Sequence, residues 1–390
     1  MKKILFFSPF WGRTGSELLL KHYIMMLDPK KIEYAIAGRN KGQLYADFPT
    51  HIKKYDFRTF NHEYKAETAS AFGKVFIDIM RFRRKFYSKI VNRNLLYQFL
   101  DNVAYDFPAD IWYINTIFMP EIIEYAEAHK IKCIVHTHEL EHMFAHINKQ
   151  QTQRLVNYPE HIISVAKRNS RIFETLGRSK KISTIHPFIN VDLWKSDSAS
   201  RQKIRNEFGF GEKTFVWAMS GELDTNKDPL IFTEIAAKVI KQHPDSAFVW
   251  FGGNHQSGYS EYAKKQAELL GLGNKIIWAG AIKDGYADHV NAADGMMLTS
   301  HRDSFPLVMI EAAALGKPIV AFDSGGISEF LNDDRMGIII NSRDTDLFKD
   351  ALIKVMESPE NYDPEISKKR AGEFDKTNRG VEWKTLMEAL

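Results

Sequence analysis

The feature that most constrains this chain is an alternation repeated along most of its length. A short apolar run rich in β-branched and aromatic residues is followed each time by a stretch with helical spacing. In the first half the runs are KILFFS, EYAIAG, DIWYIN, KCIVHT, HIISVA and ISTIHP. In the second half they are TFVWAM, AFVWFGG, KIIWAG, GMMLTS, PIVAF and GIIIN. Continuous apolar runs suit strands covered on both faces, and strands alternating with helices imply parallel sheets. Each half therefore predicts an α/β domain with a doubly wound parallel sheet, whose ligands bind beyond the carboxyl ends of the strands. A length of 390 residues gives each domain enough chain for its own core. The polar, Ser-rich stretch VDLWKSDSASR, around 190–201, reads as the linker between them.

A hydrophobic content of 44% with 26% charged residues is ordinary for a globular protein and argues against disorder. The single cysteine, Cys133, excludes an internal disulfide and a cysteine-cluster zinc site, and fits a reducing compartment. The opening MKKILFFSPFWGR has the look of a signal peptide. Its apolar run is short, is broken by Pro9 and ends at Arg13 without a small-residue cleavage site, so it reads as a first buried strand. With no run long enough to span a bilayer, a cytoplasmic location is expected.

Charge is uneven. Residues 1–190 hold 29 Lys and Arg against 18 Asp and Glu, a net of +11, whereas residues 191–390 come to −7. An anionic partner would therefore meet the first half. Residues 74–100 concentrate the effect: Lys74, Arg81, Arg83, Arg84, Lys85, Lys89 and Arg93 face one acid, Asp78, on a segment with helical apolar spacing. Such a helix either rests on anionic lipid headgroups, at the inner face of the plasma membrane, or packs its stripe on the core with a solvated basic face. No nucleic-acid motif accompanies it, and the aromatics form no evident base-stacking platform.

The chemistry concentrates in Ser300–Leu331, SHRDSFPLVMIEAAALGKPIVAFDSGGISEFL. It sets Asp303 and Glu311 eight positions apart around Phe305 and Pro306, then closes on Gly325-Gly326. Packing alone calls for neither carboxylate, but sugar hydroxyls donate charge-assisted hydrogen bonds to such groups. With F-P, E-A-x-A-x-G-K-P and G-G-x-x-E in register, the segment resembles the D/E-x7-E element of retaining, nucleotide-sugar-dependent glycosyltransferases of the GT-B fold, family 4 or group 1.

That resemblance implies two Rossmann-like domains facing across a cleft. They would be an acceptor-side domain over 1–190 and a nucleotide-sugar domain over 191–372, with EFDKTNRGVEWKTLMEAL, in 373–390, resembling the helix that crosses back. Glu311 would bind the ribose and Asp303 the donor sugar, while donor-binding Phe305 and Pro306 would lead into a helix start whose backbone amides, at Leu307 and Val308, face the diphosphate. Upstream, SGELDTNKDP resembles G-R-x-x-x-x-K-[GD]. Lys227 matches its lysine, but Glu222 stands where arginine is expected, with Arg302 and Arg13 as the nearest compensating cations. A carboxylate there repels phosphate. Gly12, Gly15 and Ser16 resemble the glycine loop of the first domain, and Gly252 and Gly253 the glycines beside the nucleotide. His138 resembles the histidine that points at the donor sugar, with His136 second. The same histidine opens an H-E-x-x-H match, yet it directly follows a strand and not a helical turn, which argues against a zinc protease.

The implied activity is transfer of a sugar from a UDP- or GDP-linked donor to a glycan or lipid-linked acceptor, in surface polysaccharide assembly. Neither a metal nor another cofactor is expected, since no D-x-D motif stands where a metal-dependent transferase needs one. The alternatives are a nucleotide-sugar epimerase of the same fold and a catalytically silent sugar-binding scaffold, the latter motivated by Glu222.

Overall fold

The computed structural model describes residues 1–61, 84–253 and 258–390. The chain divides into two units. The first comprises Met1–Val165, Asn169–Ile185 and Trp383–Leu390, and the second Ala166–Arg168 and His186–Glu382.

In the first unit β1 (Lys2–Phe10), β2 (Ile32–Asn40), β3 (Lys54–Asp56), β4 (Ile111–Ile114), β5 (Cys133–Thr137), β6 (His161–Ser164) and β7 (Lys181–Thr184) form one sheet. Its order is β3-β2-β1-β4-β5-β6-β7, with all pairs parallel. In the second unit β8 (Phe215–Ser220), β9 (Ser246–Phe251), β10 (Ile276–Gly280), β11 (Gly295–Leu298), β12 (Ile319–Phe322) and β13 (Gly337–Ile340) follow the order β10-β9-β8-β11-β12-β13, again all parallel. Each sheet begins in its middle, winds outward one way, then returns to wind the other. The reversal falls between β1 and β4 in one unit and between β8 and β11 in the other, and there the loops diverge and leave a crevice.

The sequence predicts twelve of these strands. It passes over β3, three residues reading KYD at the sheet edge, too short and too polar to signal itself. Central strands are apolar and buried, as in β4 (IWYI) and β9 (SAFVWF). Large aromatics fill both cores. Trp112 stacks on Tyr125 with centroids 5.4 Å apart, and Phe232 meets Trp250 edge-on at 5.1 Å. Burying each such side chain stabilises by about 1.5–3 kcal/mol.

The expected linker is a correction. Asp197 accepts a hydrogen bond from Ser200 N–H and caps the helix Ser198–Glu207, whose Arg201 and Arg205 both grip Asp294. A Ser/Asp-rich stretch is as good a helix start as a tether. At the chain's end, Trp383 is fully buried in the first unit, stacked on Tyr23 at 4.6 Å. The Lys2 ammonium donates to the carbonyls of Met387 and Glu388, a favourable place for a cation at a helix terminus.

The basic face expected over 74–100 lies outside the described residues. The helix Arg84–Asp106 is described, and from Leu95 onward it buries Leu96, Phe99, Leu100 and Val103 in the core. Among the described residues no helix is long and apolar enough to cross a membrane.

Candidate functional site

The second unit gathers its candidate residues at the β8/β11 reversal. After β8 the chain turns on Asp224, whose carboxylate accepts from the N–H groups of Asn226 (3.0 Å) and Lys227 (2.8 Å). It then enters the helix Pro229–Gln242 through Asp228, a left-handed residue (φ +56°) that caps the helix by accepting from Ile231 N–H. Asp228 is 5% exposed and is gripped by Arg343 (2.9 Å) and His301 (2.7 Å). Arg343 also donates to the carbonyls of Thr299 and Ser300 beyond β11. The side chain of Asn226 clasps Arg302 in both directions, accepting from its N–H and donating to its carbonyl. These bonds lock the two loops together, and Lys227 is set between them.

The ammonium of Lys227 pairs with the carboxylate of Asp303, with only 20% and 17% of their side chains exposed. Asp303 is itself fixed by backbone. Its N–H donates to the Ser324 carbonyl (2.9 Å), and it bridges Gly325 as a parallel partner. A Cβ on Gly325 would lie 2.0 Å from the Asp303 carbonyl oxygen, so only glycine admits this approach. The Gly325-Gly326 pair thus serves chain packing behind Asp303.

Phe305 is buried and stacks on Phe374 at 5.5 Å. Pro306 then opens the helix Leu307–Ala314 with no side-chain cap, which leaves first-turn N–H groups for an anion. Glu311 follows one turn on. Burial pushes its carboxyl up to about 8, against a smaller opposing pull from the hydroxyl of Tyr286, 3.5 Å away. Tyr286 also donates to Ser220 Oγ at the end of β8, at 2.7 Å. Gly253 (φ +89°) lies against Leu223, where a Cβ would come within 2.6 Å. Glu222 and the Arg302 side chain are exposed.

In the first unit, Asn115, just beyond β4, links two candidates. Its Oδ1 lies 3.0 Å from His138 Nε2, and its amide reaches the Ser16 carbonyl at 3.5 Å. His138 stands one residue past β5, outside the short turn Glu141–His146 that carries His142, so the H-E-x-x-H residues do not share a helix. Burial lowers His138 to about 4, which keeps it neutral. Beside it, burial raises the Glu139 carboxyl. Glu139 accepts from the hydroxyls of Thr116 and Thr137 and from His138 N–H. At the start of the helix Gly15–Met25, Ser16 and Thr14 turn their hydroxyls onto buried Glu17, while a Cβ on exposed Gly15 would meet nothing. Arg13 pairs with Asp47 at 3.2 Å.

The structure thus unites Lys227 with Asp303, sets Phe305, Pro306, Leu307, Val308 and Glu311 along one helix start, and ties His138 to Ser16. Sequence reasoning missed Asn115, Glu139, Ser220, Asp228 and Tyr286. A signal existed for Asp228, an Asp-Pro pair opening a helix, but none for Asn115, Ser220 and Tyr286, whose partners lie far along the chain; Glu139 draws on both near and distant partners. The assembled groups can accept hydrogen bonds from hydroxyls through Glu311 and Asp303 and bind an anion through Lys227 and helix N–H groups.

Residues 200–372 match the family described as glycosyl transferases group 1. The chain is 30% identical over 182 residues to D-inositol 3-phosphate glycosyltransferase of Corynebacterium jeikeium, covering 45% of this chain and 43% of the relative. It is 24% identical over 243 residues to a GDP-mannose-dependent alpha-(1-6)-phosphatidylinositol monomannoside mannosyltransferase of Mycolicibacterium smegmatis, covering 60% and 63%. The matches to the D-inositol 3-phosphate enzymes thus span less than half of those relatives' length. Among solved structures, Anabaena HepE in complex with UDP-glucose superposes with a TM-score of 0.78 over 100% of both chains at 17% identity. At that identity the likeness shows the fold.

Proposed function

We propose that this chain, which shares the GT-B fold and whose residues 200–372 match the group 1 glycosyl transferases, is a retaining glycosyltransferase using a nucleotide-diphosphate sugar. The second unit holds the donor and the first unit presents a glycan or lipid-linked acceptor, in the assembly of a surface polysaccharide. The observation that carries this reading is the Lys227–Asp303 pair, set beside an uncapped helix start with Glu311 one turn further on. UDP-glucose in the HepE structure and GDP-mannose in the mannosyltransferase's name support a UDP- or GDP-linked donor.

Glu311 accepts the ribose hydroxyls, and the diphosphate takes the amides of Leu307 and Val308. Its negative charge draws Lys227 off Asp303, which frees that carboxylate to accept a hydroxyl of the donor sugar. The bond between the anomeric carbon and the leaving phosphate oxygen breaks as the acceptor oxygen bonds that carbon from the same face. The acceptor's proton goes to the departing phosphate. Lys227 and the helix amides stabilise the charge developing there, work that a metal would otherwise do. Within the first unit, His138, held neutral by burial and oriented by Asn115, is the group offered to a bound sugar.

A thermal-shift screen with UDP, GDP and dTDP tests donor binding. A nucleotide at 100 times its Kd stabilises by about 2.7 kcal/mol, and Glu311→Ala abolishes that shift. Release of nucleotide diphosphate from a donor panel, undiminished by chelator, tests turnover. Exposed Glu222 and the paired state of Lys227 favour a second reading, a silent sugar-binding protein. That reading gains if nucleotides bind and no donor is turned over. Contact with an anionic membrane through residues 74–100 is tested by neutralising their seven Lys and Arg: unchanged sedimentation with anionic liposomes refutes it.

A further inference from the structure

His136 is a buried imidazole to which the donor and acceptor steps give no task. Its Nδ1 lies 2.8 Å from the hydroxyl of Tyr113, and that hydroxyl lies 2.9 Å from the indole nitrogen of Trp383. All three side chains are essentially inaccessible to solvent, and all belong to the first unit. An indole N–H can only donate, so the Tyr113 oxygen accepts from Trp383. Its own O–H meets His136 Nδ1 as an acceptor, the arrangement that uses both polar hydrogens of this relay and leaves the imidazole hydrogen on Nε2. That N–H is buried and has no acceptor among the described residues. A buried donor without a partner is costly, and such groups are kept where they serve a purpose.

The ring of His136 lies against that of His138, with centroids 4.4 Å apart and planes tilted by 45°. His138 in turn reaches Asn115 through Nε2. We infer that Trp383, Tyr113 and His136 are positioning residues. The last helix of the chain fixes one tautomer of His136, and His136 holds the ring of His138 in the orientation that Asn115 completes. Burial lowers both imidazoles, so each stays neutral in this arrangement. The inference rests on the reading of His138 given above, but its structural half stands apart from catalysis.

The full-length protein with 15N-labelled histidine decides it by long-range 1H–15N correlation. The expected result is His136 in the Nε2–H form. In Trp383→Phe the Tyr113 hydroxyl is free to accept, so His136 gains Nδ1–H form and the His138 ring signals move with it. Donor turnover then falls about tenfold or more through kcat, with KM for the donor held, as misplacement near the reacting groups would produce. Tyr113→Phe, which keeps the ring, reads the same link should the tryptophan variant fold poorly. His136 as Nδ1–H in the unsubstituted protein overturns the inference. So does a changed His136 tautomer with unmoved His138 signals. If the unsubstituted protein turns over no donor, the functional reading fails while the ring signals still decide this one.

Discussion

Glu311→Gln offers a direct measure of the electrostatics at the second unit's site. The carboxyl is pushed from its ordinary 4.5 up to about 8 because folding strips water from it. Its stabilising contribution is therefore full below pH 4.5 and is lost as pH rises through 8. Above that the folded protein carries a buried charge that the unfolded chain would hydrate freely. A displacement of that size corresponds to a ceiling of about 5 kcal/mol. Glu311 is only half-buried, and solvent screening brings the expected value to about 2 kcal/mol. Glutamine keeps the shape and does not titrate. Urea denaturation of both proteins between pH 5 and pH 9 should show the original losing about 2 kcal/mol relative to the variant across that range. Titrations shared by the two cancel in the difference. A flat difference, or one that grows in favour of the original as pH rises, would refute the reasoning. Ribose hydroxyls that donate to the ionised form would also make nucleotide binding release a proton below pH 8, which calorimetry in two buffers detects.

Lys227→Ala leaves the Asp303 carboxylate largely buried without its cation, and should lower kcat by about 10²-fold or more. Lys227→Ala with Asp303→Ala should recover stability without recovering turnover, and denaturation beside a nucleotide-release assay separates the two effects. Gly325→Ala drives a methyl to within 2.0 Å of the Asp303 carbonyl and should cost about 1–3 kcal/mol, read as a lower Tm with weakened donor turnover. Asp228→Ala removes the buried partner of Arg343 and His301 and should cost about 3–5 kcal/mol in denaturant titration.

Much of the fold is legible in the sequence because buried parallel strands have a local signature. TFVWAM or GMMLTS needs no distant partner to announce itself. The candidate site is legible in part, where its chemistry is consecutive: Asp303 to Glu311 spans one loop and one helix. The expected linker failed because Asp and Ser serve a helix cap and a tether equally well. Tyr286 and Asn115 gave no signal, since a lone tyrosine after glycine or an asparagine after a strand takes its meaning from what folds against it. The Gly325-Gly326 pair was visible, but its close neighbour was not: a Cβ on Gly325 would meet the Asp303 backbone.

The amino-acid order by itself determined two parallel α/β sheets and the carboxyl-end location of the candidate residues, because side-chain period and local turn residues are properties of neighbours in the chain. Only the tertiary structure decided that Lys227 neutralises Asp303 across 76 positions, that burial pushes the Glu311 carboxyl up to about 8, and that Trp383 reaches back to the Tyr113 hydroxyl beside His136. Desolvation and long-range pairing depend on which surfaces meet, and that is settled when the sheets and helices close on one another.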